Sequence, residues 1–103
     1  MIMSKKNEHN KQNNKVIINS KFKELIEYSS GEGEIKRFII TYWLNPADQK
    51  LYLFKSNYIS YEEYKNLINN DIKEFPVIYE ANNIKKYEID TKILKETQHE
   101  SDE

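Results

Sequence analysis

Proton transfer, metal binding and nucleophilic attack need particular side chains held at particular spacings, and this chain carries few of them. Its 103 residues contain no cysteine, which excludes disulfides, thiolate zinc sites and cysteine nucleophiles. Both histidines, His9 and His99, fall in polar ends of the chain, where nothing fixes an imidazole in a catalytic or metal-binding pose. With two glycines in all, no phosphate-cradling loop can be built. Carboxylates remain. A nuclease that pairs an acid with E-x-K gathers a divalent metal between adjacent strands. Glu34-Ile35-Lys36 has those letters, with Glu24 or Glu27 standing in for the preceding aspartate. Asp48 with Glu63-Tyr64-Lys65 has the order but puts the motif on a helix, and Glu88 and Asp90 share one strand face. A metal-dependent nuclease is therefore the third reading, and no metal or other cofactor is expected.

Aromatic residues interleaved with lysines form a stronger pattern. Tyr52, Phe54 and Tyr58 alternate with Lys50 and Lys55, and rings beside lysines on a sheet face can stack and track a single nucleic-acid strand. In a small domain with 13% aromatic residues most rings must instead fill the core. Net charge is −1 and Arg37 is the sole arginine, which weighs against a dedicated polyanion binder. Tyrosine and tryptophan also suit protein interfaces, because they give large contact area with few rotors and a polar tip. Trp43, Arg37, Tyr52 and Tyr58 are the candidate binding residues. Trp43 is either an exposed anchor or packed under the N-terminal segment.

These residues are positioned by a strand over Ile35–Leu44. Its even positions after Lys36, namely Phe38, Ile40, Tyr42 and Leu44, are apolar, as for a face set on a core. Its odd positions Ile35, Ile39 and Trp43 are apolar too. A strand apolar on both faces is central and covered, or keeps its second face for a partner. The turn Asn45-Pro46-Ala47-Asp48-Gln49 has preset φ at the proline and side chains that bond their own backbone. It predicts an antiparallel hairpin onto Lys50–Lys55.

Ser60-Tyr61-Glu62-Glu63 fits a capping box, with Ile59 and Tyr64 placed for a hydrophobic staple. The helix it opens would bury Tyr61, Tyr64, Leu67, Ile68 and Ile72 and end near Asn69-Asn70-Asp71. A second hairpin, Pro76–Glu80 with Ile84–Asp90 around Asn82-Asn83, would set Glu80 against Lys85 and Ile78 against Tyr87. A short helical turn is expected over 91–97. Lys21–Tyr28 has two readings. As a helix capped by Ser20 it places Phe22, Leu25 and Ile26 at i, i+3 and i+4. As a strand it closes a hairpin through the glycine loop 29–33. The helix is slightly preferred.

With Phe22–Tyr28 as a strand, the order becomes three strands and a helix, with Pro46-Ala47-Asp48 before the third strand and Tyr61-Glu62-Glu63-Tyr64 opening the helix. Over Lys21–Asn69 this resembles the small arm-type DNA-binding domains of phage integrases. The chain lacks the basic residues of such a domain and adds a hairpin, and it is not assigned to that family.

The sequence thus predicts one α+β domain over 16–97, a small antiparallel sheet of four to five strands packed against one main helix. A disordered polar tail over 1–15 would precede it and an acidic frayed end over 98–103 would follow. No run of 18 apolar residues or secretory leader is read, so the expected location is cytoplasmic. Lysine, asparagine, isoleucine and tyrosine share A/T-rich codons, pointing to a low-GC genome or a virus. The expected function is non-enzymatic. It is a protein-binding module that docks on a larger host protein, by class analogy a phage or mobile-element inhibitor such as an anti-CRISPR protein. A nucleic-acid-binding accessory protein using Lys36, Arg37, Lys50 and Lys55 is the second reading.

Overall fold

A computed structural model describes residues 14–96. The tail expected over 1–15 lies almost wholly outside them, as do the end over 98–103 and both histidines. Five strands form one antiparallel sheet in the order β3-β2-β1-β4-β5. They are β1 (Lys15–Ser29), β2 (Ile35–Asn45), β3 (Lys50–Lys55), β4 (Glu74–Glu80) and β5 (Asn83–Ile89). Helix α1 (Tyr61–Asn69) joins β3 to β4, and the single turn α2 (Ile93–Glu96) follows β5.

The expected α+β arrangement, a sheet packed against one main helix, is not what forms. The sheet curls on itself and supplies most of its own core, while α1 is only nine residues long. The cause is β1. At 15 residues it spans about 50 Å at the usual rise per residue, far more than either neighbour needs. Its first half pairs with β4 (Lys15 to Lys21 against Glu80 to Glu74) and its second half with β2 (Lys21 to Ser29 against Tyr42 to Ile35). Between Phe22 and Glu24 the ladder shifts, because β2 advances one residue while β1 advances two. Such a bulge bends a strand and increases its twist. The two edges therefore approach each other. The Phe54 and Tyr87 rings meet edge-on at 4.9 Å, and the Lys55 N–H donates to the Tyr87 hydroxyl at 2.9 Å.

Lys21–Tyr28 is thus a strand, and Ser20 does not cap a helix. Ser20 is fully buried where β1 changes partner, its Oγ 2.8 Å from Thr41 Oγ1 and 2.9 Å from the Phe75 carbonyl oxygen. A carbonyl only accepts, so the Ser20 proton goes to Phe75 and the buried Thr41 hydroxyl supplies the other bond. Ile39, Phe54, Phe75, Val77 and Ile89 fill the curl, with Ile59 beside them. Leu67 of α1 and Leu94 of α2 complete the core.

The hairpin β2–β3 forms in the expected place. Asn45 Oδ1 accepts from Ala47 N–H, Asp48 Oδ1 accepts from Lys50 N–H, and Gln49 takes positive φ. Gly31 and Gly33, with φ of +94° and +86°, turn β1 into β2. The capping box is present: Glu63 N–H donates to Ser60 Oγ, and Ser60 N–H donates to Glu63 Oε1. Two details differ. Tyr61 and Ile68 are each 58% exposed, so the buried stripe of α1 is narrower than its sequence implies. In the β4–β5 hairpin Tyr79 faces Tyr87 and Ile78 faces Glu88, one residue from the expected register. This setting puts Ile89 opposite Val77, both buried, and an irregularity between Tyr79 and Glu80 absorbs the slip. The order of strands and helix that resembles an integrase arm domain is there, but its first strand also carries β4 and β5 in the same sheet.

Ser20→Ala should lower stability by about 1–3 kcal/mol by leaving a buried acceptor, the Phe75 carbonyl, and a buried donor, the Thr41 hydroxyl, short of a partner. Urea unfolding with an unchanged m-value would show it; a change below about 0.5 kcal/mol, the range of ordinary surface substitutions, would contradict it.

Candidate interaction surface

Strand β2 has one face in the core and one outside, a choice its sequence leaves open because both faces are apolar. The even positions, whose alternation reads as a core face, are the outer ones. Arg37, Ile39, Thr41 and Trp43 point inward, with Ile39 and Thr41 fully buried. Lys36, Phe38, Ile40, Tyr42 and Leu44 point outward. The register carries this outer face across three strands: Ile26 lies opposite Phe38, Tyr28 opposite Lys36, Leu53 opposite Tyr42 and Leu51 opposite Leu44. Leu44, Leu51 and Leu53 are 61%, 60% and 54% exposed. A contiguous apolar patch of this kind marks an interaction site more often than a lone exposed leucine does.

The face has two ends. At one, Tyr28, Phe38 and Tyr58 cluster with ring centroids 6.1 to 6.5 Å apart, and the Tyr28 and Tyr58 hydroxyls hydrogen-bond. That bond raises the Tyr28 pKa above 10.0, with burial and the Tyr58 charge adding to it. The Lys36 ammonium lies 5.1 Å from the Tyr58 ring centre and that of Lys55 4.6 Å from Phe38, within cation–π range. At the other end Leu44, Leu51 and Leu53 form an aliphatic row beside Tyr42. Between them runs a groove of about 350 Å³ lined by Lys23, Ile26, Phe38, Ile40, Leu53 and Lys55 among others.

The edge of this surface is also defined. Ser56 N–H donates to the Ile39 carbonyl, and Ile59 N–H donates to that of Arg37. Antiparallel ladders alternate, so the backbone groups of residues 50, 52 and 54 bond to β2, while those of Leu51, Leu53 and Lys55 point away from it. The Lys55 N–H is met by Tyr87.

Of the residues singled out from the sequence, Tyr58 lies on this surface, 53% exposed. Trp43 and Tyr52 come together on the inner face with centroids 6.1 Å apart, both half-buried, and Tyr79 also packs on Trp43. Arg37 is held under α1. Its side chain is 14% exposed, its Nε donates to Glu27 Oε2 at 2.7 Å, and its guanidinium covers Tyr64 at 4.6 Å and Tyr61 at 5.4 Å. Lys36 and Lys55 share the outer face, while Lys50, exposed at the start of β3, has the parity of Tyr52 and Phe54 on the other side. The residues that sequence reasoning left out are Tyr28, Phe38, Ile40, Tyr42, Leu44, Leu51 and Leu53. For all but Tyr28, which β1 supplies, the signal was the shared parity of two apolar strands joined by a four-residue turn.

The acidic residues are dispersed. Glu63 serves the helix cap and Glu27 holds Arg37. Among the described residues no three His, Asp or Glu side chains gather as a metal site would need. No helix there is long and apolar enough to cross a membrane. Comparison with protein-family models, curated proteins and solved structures returns no match.

Tyr52 anchors the turn beside the aliphatic row by donating to Asp48 Oδ2 at 2.6 Å. This bond lowers the Asp48 pKa below 3.8, helped by the Lys50 N–H, and raises that of Tyr52 above 10.0. The contact therefore stabilises the turn fully above the ordinary aspartate pKa and is lost as pH falls through the lowered value. At the alkaline end it is intact below the ordinary tyrosine pKa and is lost as pH rises through the raised one. Tyr52→Phe should move the Asp48 carboxyl titration, followed by NMR, upward toward the ordinary value; an unmoved titration would contradict the assignment.

Proposed function

We propose that this protein works by recognition rather than catalysis, binding another protein through the outer face of β1, β2 and β3. The observation that carries the reading is the aliphatic row Leu44, Leu51 and Leu53 beside Tyr42, more than half exposed at each leucine. Burying it would release water from apolar surface at about 25 cal/mol per Å². A nucleic-acid strand has no use for such a row, whereas protein interfaces are built around one. The near absence of arginine and the net charge of −1 point the same way. A host protein as the target of a phage or mobile-element inhibitor extends the proposal, supported by composition alone. The cytoplasm as its location is supported by the cysteine-free sequence.

One observation favours a second reading. The rings of Tyr28, Phe38 and Tyr58 with Lys36 and Lys55 could stack bases and contact phosphates. In a five-stranded, partly open barrel the β2–β3 surface is one that oligonucleotide binders use.

Salt separates the two. Immobilised protein should retain a partner from host lysate at moderate salt, and Leu44→Glu with Leu53→Glu should abolish retention while leaving circular dichroism unchanged. Retention of a single-stranded oligonucleotide that falls steeply with salt, untouched by the two leucine substitutions, would favour the second reading. Partner retention that survives those substitutions would overturn the first.

A further inference from the structure

We propose that the partner contributes an extended segment that adds antiparallel to β3 at Leu51 and Leu53, with apolar residues facing those two leucines and a carboxylate facing Lys55. The inference rests on the protein-binding reading and adds the geometry and chemistry of the partner. Three observations meet at this edge. The N–H and C=O groups of Leu51 and Leu53 point away from β2, by the alternation that the Ser56–Ile39 bond sets. The side chains of the same two residues are exposed on the outer face, so an added strand would pair its backbone and extend the apolar surface at once. This is the manner in which extended peptides join exposed sheet edges.

Charge supplies the third. Lys55 stands next on that face, two residues from Leu53, and makes no ion pair among the described residues. Its ammonium rests over the Phe38 ring. Its backbone N–H already donates to Tyr87, so Lys55 has no N–H to give an added strand and would meet a partner chiefly through its side chain. Opposite charges across a strand pair are favourable, which selects a carboxylate there. A second copy of this chain does not supply it. In the two-fold pairing that sets Leu51 against Leu53, Gln49 falls opposite Lys55. Lys50 and Lys55 at the ends of the strand also guard it against self-pairing, as edge lysines do.

A blocked peptide with the core Glu-Thr-Val-Thr-Val, flanked by threonines, tests this on the full-length protein by NMR. It should bind with shifts at Leu51 and Leu53, and both amides should become protected from hydrogen exchange. Exchanging its glutamate for lysine should weaken binding about fivefold, the upper range for a cross-strand pair. Proline in place of the central valine, whose N–H would donate to the Leu53 carbonyl, should weaken it about tenfold or more, by removing a ladder bond. Lys55→Glu should reverse the preference between the two peptides. Equal binding of the proline peptide would overturn strand addition while leaving the face itself as a protein-binding surface. Indifference to the Glu-to-Lys exchange would overturn the acidic partner, and so would a preference for an oligothymidine strand. Protection of the Leu51 and Leu53 amides by self-association in the absence of peptide would show a second copy as the occupant and overturn the proposal.

Discussion

The structure depends on one long strand that serves two neighbours in succession. Near Ser20 and Lys21, β1 leaves β4 and takes up β2, and the extra residue at Lys23 turns it further. A strand that changes partner cannot lie in a flat sheet. Its twist brings β3 and β5 toward each other, and the enclosed side becomes the core. The buried hydroxyl pair of Ser20 and Thr41 sits at this junction. Everything else follows from which side is enclosed. Ile39 and Thr41 go in, and Phe38, Ile40, Tyr42 and Leu44 are left out.

Much of the local structure was legible because it depended on neighbours in sequence. The Asn45–Gln49 turn, the glycines between β1 and β2 and the Ser60–Glu63 box act within a few residues, and each is found where its chemistry placed it. For Lys21–Tyr28 the sequence leaves helix and strand both open, and its slight lean to the helix has a physical reason. The bulge at Lys23 lets Phe22 and Leu25 face the same way although three residues apart, and three is helical spacing. Ser20, small and polar before that run, then looked like a helix cap. The β4–β5 register slipped because a favourable Glu80–Lys85 pair weighs less than burying Ile89 against Val77.

The candidate surface was harder to read for a related reason. Both faces of β2 are apolar, and nothing within that strand says which is enclosed. Trp43 drew attention as the largest side chain, yet size favours the core when the sheet closes over it. Arg37 looked available as the sole arginine, but the Tyr61 and Tyr64 rings of α1 and the Glu27 carboxylate hold it. The outer face emerges only once the β1–β2–β3 register aligns two leucines of β3 with two apolar residues of β2. The proposed recognition would use this face, which among the described residues is uncovered over Leu44, Leu51 and Leu53, with a ring cluster at one end and lysines beside it.

The assignment of inner and outer faces can be measured directly, because the chain has no cysteine of its own. Single cysteines at Ile39, Thr41, Leu44 and Leu53 would report thiol accessibility in the folded protein. Leu44→Cys and Leu53→Cys should react about as fast as an exposed free thiol, while Ile39→Cys and Thr41→Cys should be protected until the protein unfolds. The opposite pattern, with positions 39 and 41 reactive and 44 and 53 protected, would contradict it.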